Sequence, residues 1–288
     1  MAIDYAALKS RAFPEIRQAY GARECILYAL GVGVGVEDSQ GDNLRYVFEQ
    51  DIRALPTMAV TLGYAGFWLR EPDTGIDWAN ALLLDQEIAL QRPLAASGEV
   101  IGRTRVGEIY DKGAGRGAFI VTLRELVDAA SGAPIATMRC TEFVRGEGGF
   151  GGPPAPRPEH AKCPERAADA TVRYPTSKQA ALIYRLSGDD NPLHVDAATA
   201  RSVGFDAPIL HGLSSFGMAG RAIVAAMCGG DPARLRLIRG RFTAPVLPGE
   251  TLRFNLWRID ARRCMFQVIV EERGVVALDS GEAEFTER

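Results

Sequence analysis

Hydrophobic and polar positions alternate along the chain in two sets of three segments, one set in each half. In the second half the alternation is clearest at Leu252, Phe254 and Leu256, and two more such segments follow before Phe285. In the first half a similar set starts within residues 92–109. Because successive side chains of a strand point to opposite faces, period-two alternation predicts half-buried strands. We predict that each half ends in an antiparallel meander of three strands.

A different pattern precedes the second meander. Residues 212–227 are almost all small or apolar, which is typical of a helix buried against a sheet. Residues 55–66 occupy the corresponding place in the first half, and we predict the equivalent helix there. An antiparallel sheet wrapped around one apolar helix is the hot-dog arrangement. The predicted fold class is therefore α+β, a double hot-dog with two such sheets in one chain.

A segment rich in glycine and proline separates the two halves. Residues 146–164 read GEGGFGGPPAPRPEHAKCP, and both residue types disfavour helices and strands. We predict domains at 1–145 and 165–288 with a linker at 146–164. The three histidines, His160, His194 and His211, all follow residue 150. Only the second domain therefore offers an imidazole for acid–base chemistry, and we expect one active site per chain.

Composition and charge narrow the class of partner. Lysine and arginine total 33 against 36 for aspartate and glutamate, and this net charge of −3 argues against nucleic acid or an anionic membrane as a partner. No apolar run approaches the roughly 18 residues of a membrane span. The five cysteines form no C-x-x-C pair, which is atypical of a zinc site or a disulfide framework. We expect reduced thiols and a cytoplasmic protein.

Helix signals precede the densest cluster of polar residues. Thr176 and Gln179 have the spacing of a capping box, and Gly188 suits the position just after a helix. The predicted helix between them has an apolar face. That face consists of Leu182, Ile183 and Leu186.

The chain must turn after this helix. Pro192 lacks an amide N–H and disfavours the α region for the residue before it. Asp196 then predicts the cap of a second helix, which ends at Gly204. Asp189 and His194 thus lie on one short loop, where a carboxylate and an imidazole can share a single water. Such a pair suits the two proton transfers that hydration of an enoyl thioester requires.

A family resemblance joins this loop to the buried helix. Residues 187–194 read SGDDNPLH and residues 208–212 read PILHG, and together they resemble the hydratase 2 motif of the MaoC-like dehydratase family. The similarity extends along nearly the whole chain, most closely to double hot-dog (R)-specific enoyl-CoA hydratases, including the hydratase part of peroxisomal multifunctional enzyme type 2. It implies a lyase that reversibly adds water in syn fashion to a 2-enoyl-CoA. It also implies an acyl-CoA substrate, a homodimer, and neither a metal nor a redox cofactor.

The resemblance implies specific roles in the second half. Asp189 and His194 match the catalytic pair, and Asn191 orients their loop. The backbone amide of Gly212 matches the donor that stabilises negative charge on the thioester oxygen, as expected at a helix start. His211 is expected to orient the chain before Gly212 rather than to take part in the chemistry.

Other matched positions imply substrate binding. Lys112 and Phe242 fall on such positions, and Lys112 is suited to meet a CoA phosphate. Relatives often carry His-Gly-Glu-Gln where this chain has Leu83-Leu84-Asp85-Gln86. That difference predicts an acyl tunnel that Leu83 and Leu84 make locally more apolar. The first domain is then a non-catalytic half opened to hold the acyl group.

Two other functions fit the same fold. A hot-dog thioesterase would release free thiol from acyl-CoA, and a non-catalytic protein would bind acyl-CoA without turnover. A metal site built from Asp189, His194, Asp196 and His211 matches no metalloenzyme spacing, so we predict none. Medium-chain, very long-chain, branched and sterol-side-chain acyl groups all stay open.

Overall fold

The computed structural model describes residues 3–36, 41–156 and 161–287. Residues 157–160 of the predicted linker, which include His160, lie outside these ranges. No helix within them has both the length and the apolar character needed to cross a membrane. The strands are β1 Ile16–Tyr20, β2 Ala81–Leu90, β3 Gly98–Asp111, β4 Ala118–Asp128, β5 Pro134–Val144, β6 Ala170–Pro175, β7 Leu235–Phe242, β8 Thr251–Arg258, β9 Arg263–Val270 and β10 Val275–Phe285. The α-helices are α1 Tyr5–Lys9, α2 Ala22–Gly31, α3 Ala180–Tyr184, α4 Ala197–Ser202 and α5 Gly212–Met227.

Both predicted meanders are present, as β3-β4-β5 and β8-β9-β10. The sheets of the two halves join edge to edge into one antiparallel sheet with the order β1-β3-β4-β5-β2-β7-β10-β9-β8-β6. The joint is the pairing of β2 with β7, in which Ile88 lies opposite Ile238. Both isoleucines are fully buried. This pairing satisfies backbone groups that would otherwise form two open edges.

Helix α5 confirms the prediction for residues 212–227, and 12 of its 16 residues are buried. Two of its glycines allow close packing against the first half. A Cβ at Gly217 would lie 2.5 Å from Val32 Cγ1, and a Cβ at Gly220 would lie 2.5 Å from Thr57 Cγ2. The central helix of the second half therefore also packs against segments of the first half.

The helix predicted at residues 55–66 is wrong in extent. The structure has a short 3-10 helix at Pro56–Thr61, after which Leu62 adopts an extended conformation. Gly63 has a φ of 56°, and a Cβ there would lie 2.7 Å from the backbone of Gly102 on β3. The chain crosses the sheet surface at this contact between two glycines, so it leaves the helical path after about two turns of 3-10 helix.

The glycine-rich segment is anchored to the end of β3. The Asp111 carboxylate accepts hydrogen bonds from the amides of Gly113, Gly149 and Gly151 at 2.7, 2.8 and 2.9 Å. These bonds to the ionised form lower the pKa of Asp111, the bond from Gly149 most. The beginning of the predicted linker is therefore held in place by one carboxylate.

Candidate active site

The helix before the polar loop is shorter than predicted. Its capping box is wrong, because the Thr176 hydroxyl donates to the Glu250 carbonyl and accepts from the Gly249 amide, both at 2.8 Å. Thr176 thus binds the turn before β8, and the helix starts after Gln179. The predicted apolar face is also wrong at two positions, since Leu182 and Leu186 are 55% and 62% exposed. The helix buries Ala180, Ala181 and Tyr184 instead.

The turn itself agrees with the sequence. Gly188 has a φ of 113° and ends the helical segment. The Asp189 carboxylate accepts the Asn191 amide hydrogen at 3.3 Å, and the Asn191 side chain accepts the amide hydrogen of Leu193 at 3.0 Å. A short 3-10 helix then carries His194. These local bonds set the positions of the carboxylate and the imidazole within seven residues of chain.

The second predicted helix is confirmed as α4. Asp196 caps it, because its carboxylate accepts the amide hydrogen of Thr199 at 2.6 Å. Gly204 follows the helix with a φ of 91°, as expected for a helix end. Asp196 thus has a structural role as the cap of this helix.

The His194 ring has a defined orientation. Its Nδ1 lies 2.9 Å from the Ile209 carbonyl oxygen. A carbonyl can only accept, so Nδ1 carries the hydrogen, and in the neutral ring Nε2 then has the free lone pair. The ring stacks on His211, with centroids 3.7 Å apart and planes 27° apart. His194 therefore presents Nε2 as its basic atom.

His211 holds the loop through a hydrogen bond to its backbone. Its Nε2 lies 3.3 Å from the Asp189 carbonyl oxygen, to which it donates. Burial, together with the neighbouring His194, lowers the pKa of His211 to about 2, so the ring stays neutral. His211 therefore holds the main chain at Asp189, in agreement with a positioning role.

Burial also disfavours charge on the central pair. It raises the pKa of Asp189 and lowers the pKa of His194, while their mutual attraction opposes both shifts. Both directions favour a protonated carboxyl group beside a neutral imidazole. Such a pair holds one group able to give a proton and one able to take a proton.

Residues of both halves line one cavity of about 340 Å³. The wall brings together seven of the eight predicted site residues, namely Asp189, Asn191, His194, Gly212, Phe242, Leu83 and Leu84. Gly212 opens helix α5, and the first amides of a helix have no acceptor within the helix. A Cβ on Gly212 would lie 3.0 Å from the Phe242 ring, so Phe242 packs directly against this glycine.

A bulge explains how two consecutive leucines reach the wall. Leu83 pairs with Glu142 and Asp85 pairs with Thr141, so Leu84 is an extra residue in β2. A bulge of this kind bends a strand and redirects its side chains.

Lys112 is the predicted site residue outside this wall. Its Nζ lies 4.7 and 4.6 Å from the ring centroids of Phe119 and Phe143, a cation–π arrangement. Phe143 itself lines the cavity. The phosphate contact of Lys112 stays a prediction.

Sequence reasoning missed a polar part of the wall in the first half. Its members lie on inward-facing positions of strands or on the segment that crosses the sheet. They are Tyr64, Gln86, Thr104, Thr122, Arg124, Cys140 and Glu142. Polar residues at alternating positions of β4 and β5 were the available signal, but the cavity that they face arises from strand pairing.

Asp189, His194 and His211 are close enough to be considered as metal ligands, since one ligand atom from each lies within 4.8 Å of the others. The two stacked rings lie in nearly parallel planes, so their lone pairs do not converge. His194 Nδ1 and His211 Nε2 are also engaged by carbonyl oxygens. This geometry fits a water-holding pair better than a tetrahedral metal centre.

The two halves match two family models. Residues 19–146 match the MFE-2 hydratase 2 N-terminal domain, and residues 159–280 match the MaoC like domain. The chain is 41% identical over 272 residues to 3-hydroxyacyl-thioester dehydratase Y of Mycobacterium tuberculosis, covering 91% of this chain and 92% of that protein. It is 35% identical to the peroxisomal enoyl-CoA hydratase 2 of Arabidopsis thaliana, covering 94% and 92%.

Solved structures support the fold. A MaoC-like dehydratase from Phytophthora capsici superposes with a TM-score of 0.85 and 34% identity, covering 99% of this chain and 98% of that one. A Mycobacterium tuberculosis protein described as a double hotdog fold superposes with a TM-score of 0.59, covering 96% and 97%; at 14% identity it bears on the fold alone. The chain has the hot-dog fold and belongs to the MaoC-like dehydratase family, with an MFE-2 hydratase 2 N-terminal domain in its first half.

Proposed function

We propose that this protein is an (R)-specific 2-enoyl-CoA hydratase, a hydro-lyase that reversibly forms 3-hydroxyacyl-CoA. One observation carries the proposal: Asp189, His194 and Gly212, the first residue of α5, line the same cavity. The names of the relatives, enoyl-CoA hydratase 2 and 3-hydroxyacyl-thioester dehydratase, describe the two directions of this reaction.

The proposed mechanism uses one water. His194 Nε2 takes a proton from the water while its oxygen adds to C3 of the enoyl group. The developing negative charge on the thioester oxygen meets the Gly212 amide, where a helix start favours it. The carboxyl group of Asp189, which binds the same water, gives its proton to C2, and the proton held by His194 then passes to the Asp189 carboxylate, which restores the starting pair. Because both groups lie on one loop, the two additions reach the same face of the double bond, and dehydration follows the reverse path.

Hydration involves no net oxidation or reduction, so we propose that the reaction uses no redox cofactor, with the acyl-CoA thioester as the small-molecule partner. Because Asp189 and His194 supply both proton transfers and the Gly212 amide meets the developing charge, we also propose that it uses no metal. The domain division at 1–145 and 165–288 gives the first half the role of holding the acyl group. In this proposal Leu83, Leu84 and Phe242 contact that group, and Lys112 lies toward the CoA end.

The test uses the purified full chain. Crotonyl-CoA, a medium-chain enoyl-CoA and a bulky branched enoyl-CoA are incubated with the protein, and loss of the conjugated enoyl absorbance is followed. Chiral analysis of the product should give the (R)-3-hydroxyacyl-CoA. A thiol reagent in a parallel sample reports hydrolysis. Release of free CoA without hydration would favour a thioesterase, and saturable binding without either product would favour a non-catalytic binder.

We also propose a homodimer in the cytoplasm. The family resemblance supports the dimer, and five unpaired cysteines support a reducing compartment. The Arabidopsis relative is named as peroxisomal, so the compartment needs its own measurement. Light scattering of the full chain tests the dimer, and fractionation of the native cells tests the compartment.

A further inference from the structure

The first-half wall of the cavity carries a polar patch. Strand pairing places Thr104 opposite Arg124 and Thr122 opposite Cys140. Directly opposed residues of antiparallel strands point to the same face. Glu142 lies two residues beyond Cys140 on β5 and therefore also shares that face. We define the polar patch as Thr104, Thr122, Arg124 and Glu142, all of which line the cavity.

Each member of the polar patch has a buried atom that forms no hydrogen bond with any of the residues that the structure describes. These atoms are Thr104 Oγ1, Thr122 Oγ1, Arg124 Nε and Glu142 Oε2. Thr122 and Arg124 are only 9% and 8% exposed. Buried polar groups are usually paired, because an unpaired one costs free energy. Four such atoms on one wall of the substrate cavity point to an oxygen-bearing ligand group.

The charges of the patch indicate which oxygen group fits. Arg124 donates to the Val60 carbonyl and lies 5.1 Å from the Tyr64 ring centroid, so its guanidinium is already partly compensated. Burial raises the pKa of Glu142 to about 7, so near neutral pH it both accepts and donates. A hydroxyl group matches this mixture, since it donates to Glu142 and accepts from a threonine or from Arg124 Nε. A carboxylate would meet the ionised Glu142 as a like charge.

We infer that the preferred substrate carries a hydroxyl group on its acyl chain, remote from the reacting double bond, and that the polar patch binds that hydroxyl. The inference rests on the proposed function for the location of the acyl group. Leu83 and Leu84 make the tunnel wall apolar on β2, whereas the polar patch adds polar groups to it on β3, β4 and β5.

The first test measures binding, so that it does not depend on turnover. Saturated acyl-CoA thioesters of matched length, unsubstituted or with a hydroxyl or a carboxylate at the chain end, are titrated into the full chain by calorimetry over a series of lengths. We expect the hydroxylated chain of the best length to bind about tenfold or more tightly than the unsubstituted chain, as for a buried hydrogen-bonded group. The carboxylate should bind more weakly than the hydroxyl.

Substitutions test whether the polar patch causes the preference for the hydroxylated chain. Thr122→Val keeps the shape of the side chain and should reduce the hydroxyl preference about tenfold, while the unsubstituted chain binds more tightly. Glu142→Gln should reduce the preference less, because an amide still pairs with a hydroxyl. The matched control is Thr137→Val on the outward face of β5, where the threonine is exposed. It should keep the wild-type preference.

The outcomes separate the two proposals. Equal binding of both chains at every length, or a preference that survives Thr122→Val, would overturn the inference, and the patch would then serve bound water only. Stronger binding of the carboxylate would overturn it in favour of an anionic chain. Enoyl versions of the same thioesters report hydration separately. If the hydroxyl preference is intact but no hydration occurs, the proposed hydratase activity is wrong and the proposed hydroxyl binding by the polar patch still holds.

Discussion

Replacing Asp189 and His194 singly and then together tests whether both act on the same water. Each change, Asp189→Asn and His194→Gln, removes one proton transfer, which is worth roughly 10²- to 10⁴-fold in rate, or about 2.7–5.4 kcal/mol of activation free energy. A carboxylate oxygen of Asp189 and a ring nitrogen of His194 lie within 4.8 Å of each other. Because both groups act on one water, the group that remains in a single variant cannot complete the addition by itself. The double variant should be within about tenfold of the slower single variant, whereas independent groups would multiply to roughly 10⁴–10⁸.

The assay is kcat/KM for the best enoyl-CoA, followed by enoyl absorbance. The matched control is Asp190→Asn, because Asp190 is the adjacent carboxylate but is exposed and paired with Arg70 at 3.2 Å. It should keep activity within about twofold, as expected for a surface ion pair. Folding is checked by thermal unfolding, and Asp189→Asn should be at least as stable as wild type at pH 8. The pKa of Asp189 is raised in the fold, so its ionised form destabilises the fold at high pH. Multiplicative losses, or full activity in either single variant, would refute the shared-water mechanism.

Three further predictions concern stability, the oxyanion site and metal dependence. The pKa of Glu142 is raised from 4.5 to about 7, so the wild type should lose unfolding free energy as pH rises through this range; Glu142→Gln should remove about 3 kcal/mol of that loss in denaturant titrations at pH 5 and pH 8. Gly212→Ala places a Cβ 3.0 Å from Phe242, and kcat should fall about tenfold or more, with partial recovery when Phe242→Leu is added. Dialysis against a chelator should leave the hydration rate unchanged, and restoration of a lost rate by added zinc would contradict the proposed mechanism.

The features predictable from the sequence are those with local causes. The apolar run of α5 has to be buried wherever it occurs, and the order of Gly188, Asp189 and Pro192 permits little besides a tight turn. The cap at Asp196 follows from one side chain and the amide three residues later. These signals need no knowledge of distant strands, and the structure agrees with them.

The features that were missed depend on contacts between distant segments. The sequence around Thr176 predicts a helix cap, but its hydroxyl binds the distant turn at Gly249 instead. The segment after Pro56 leaves its helical path because it meets β3 at Gly102. The polar patch needs the register of several strands, since Thr104 and Arg124 become neighbours only when β3 pairs with β4. The bulge at Leu84 likewise exists only relative to its partner strand.

The covalent connection between the two halves has a consequence for dilution. The pairing of β2 with β7 joins the two halves of the sheet within one chain, so the wall that carries the polar patch and the loop that carries His194 belong to the same molecule. Tethering gives the halves a high effective concentration for each other, commonly in the millimolar range for short flexible linkers. A site shared between two separate chains would come apart at low protein concentration. Here the specific activity per chain should stay constant when the enzyme is diluted to nanomolar levels.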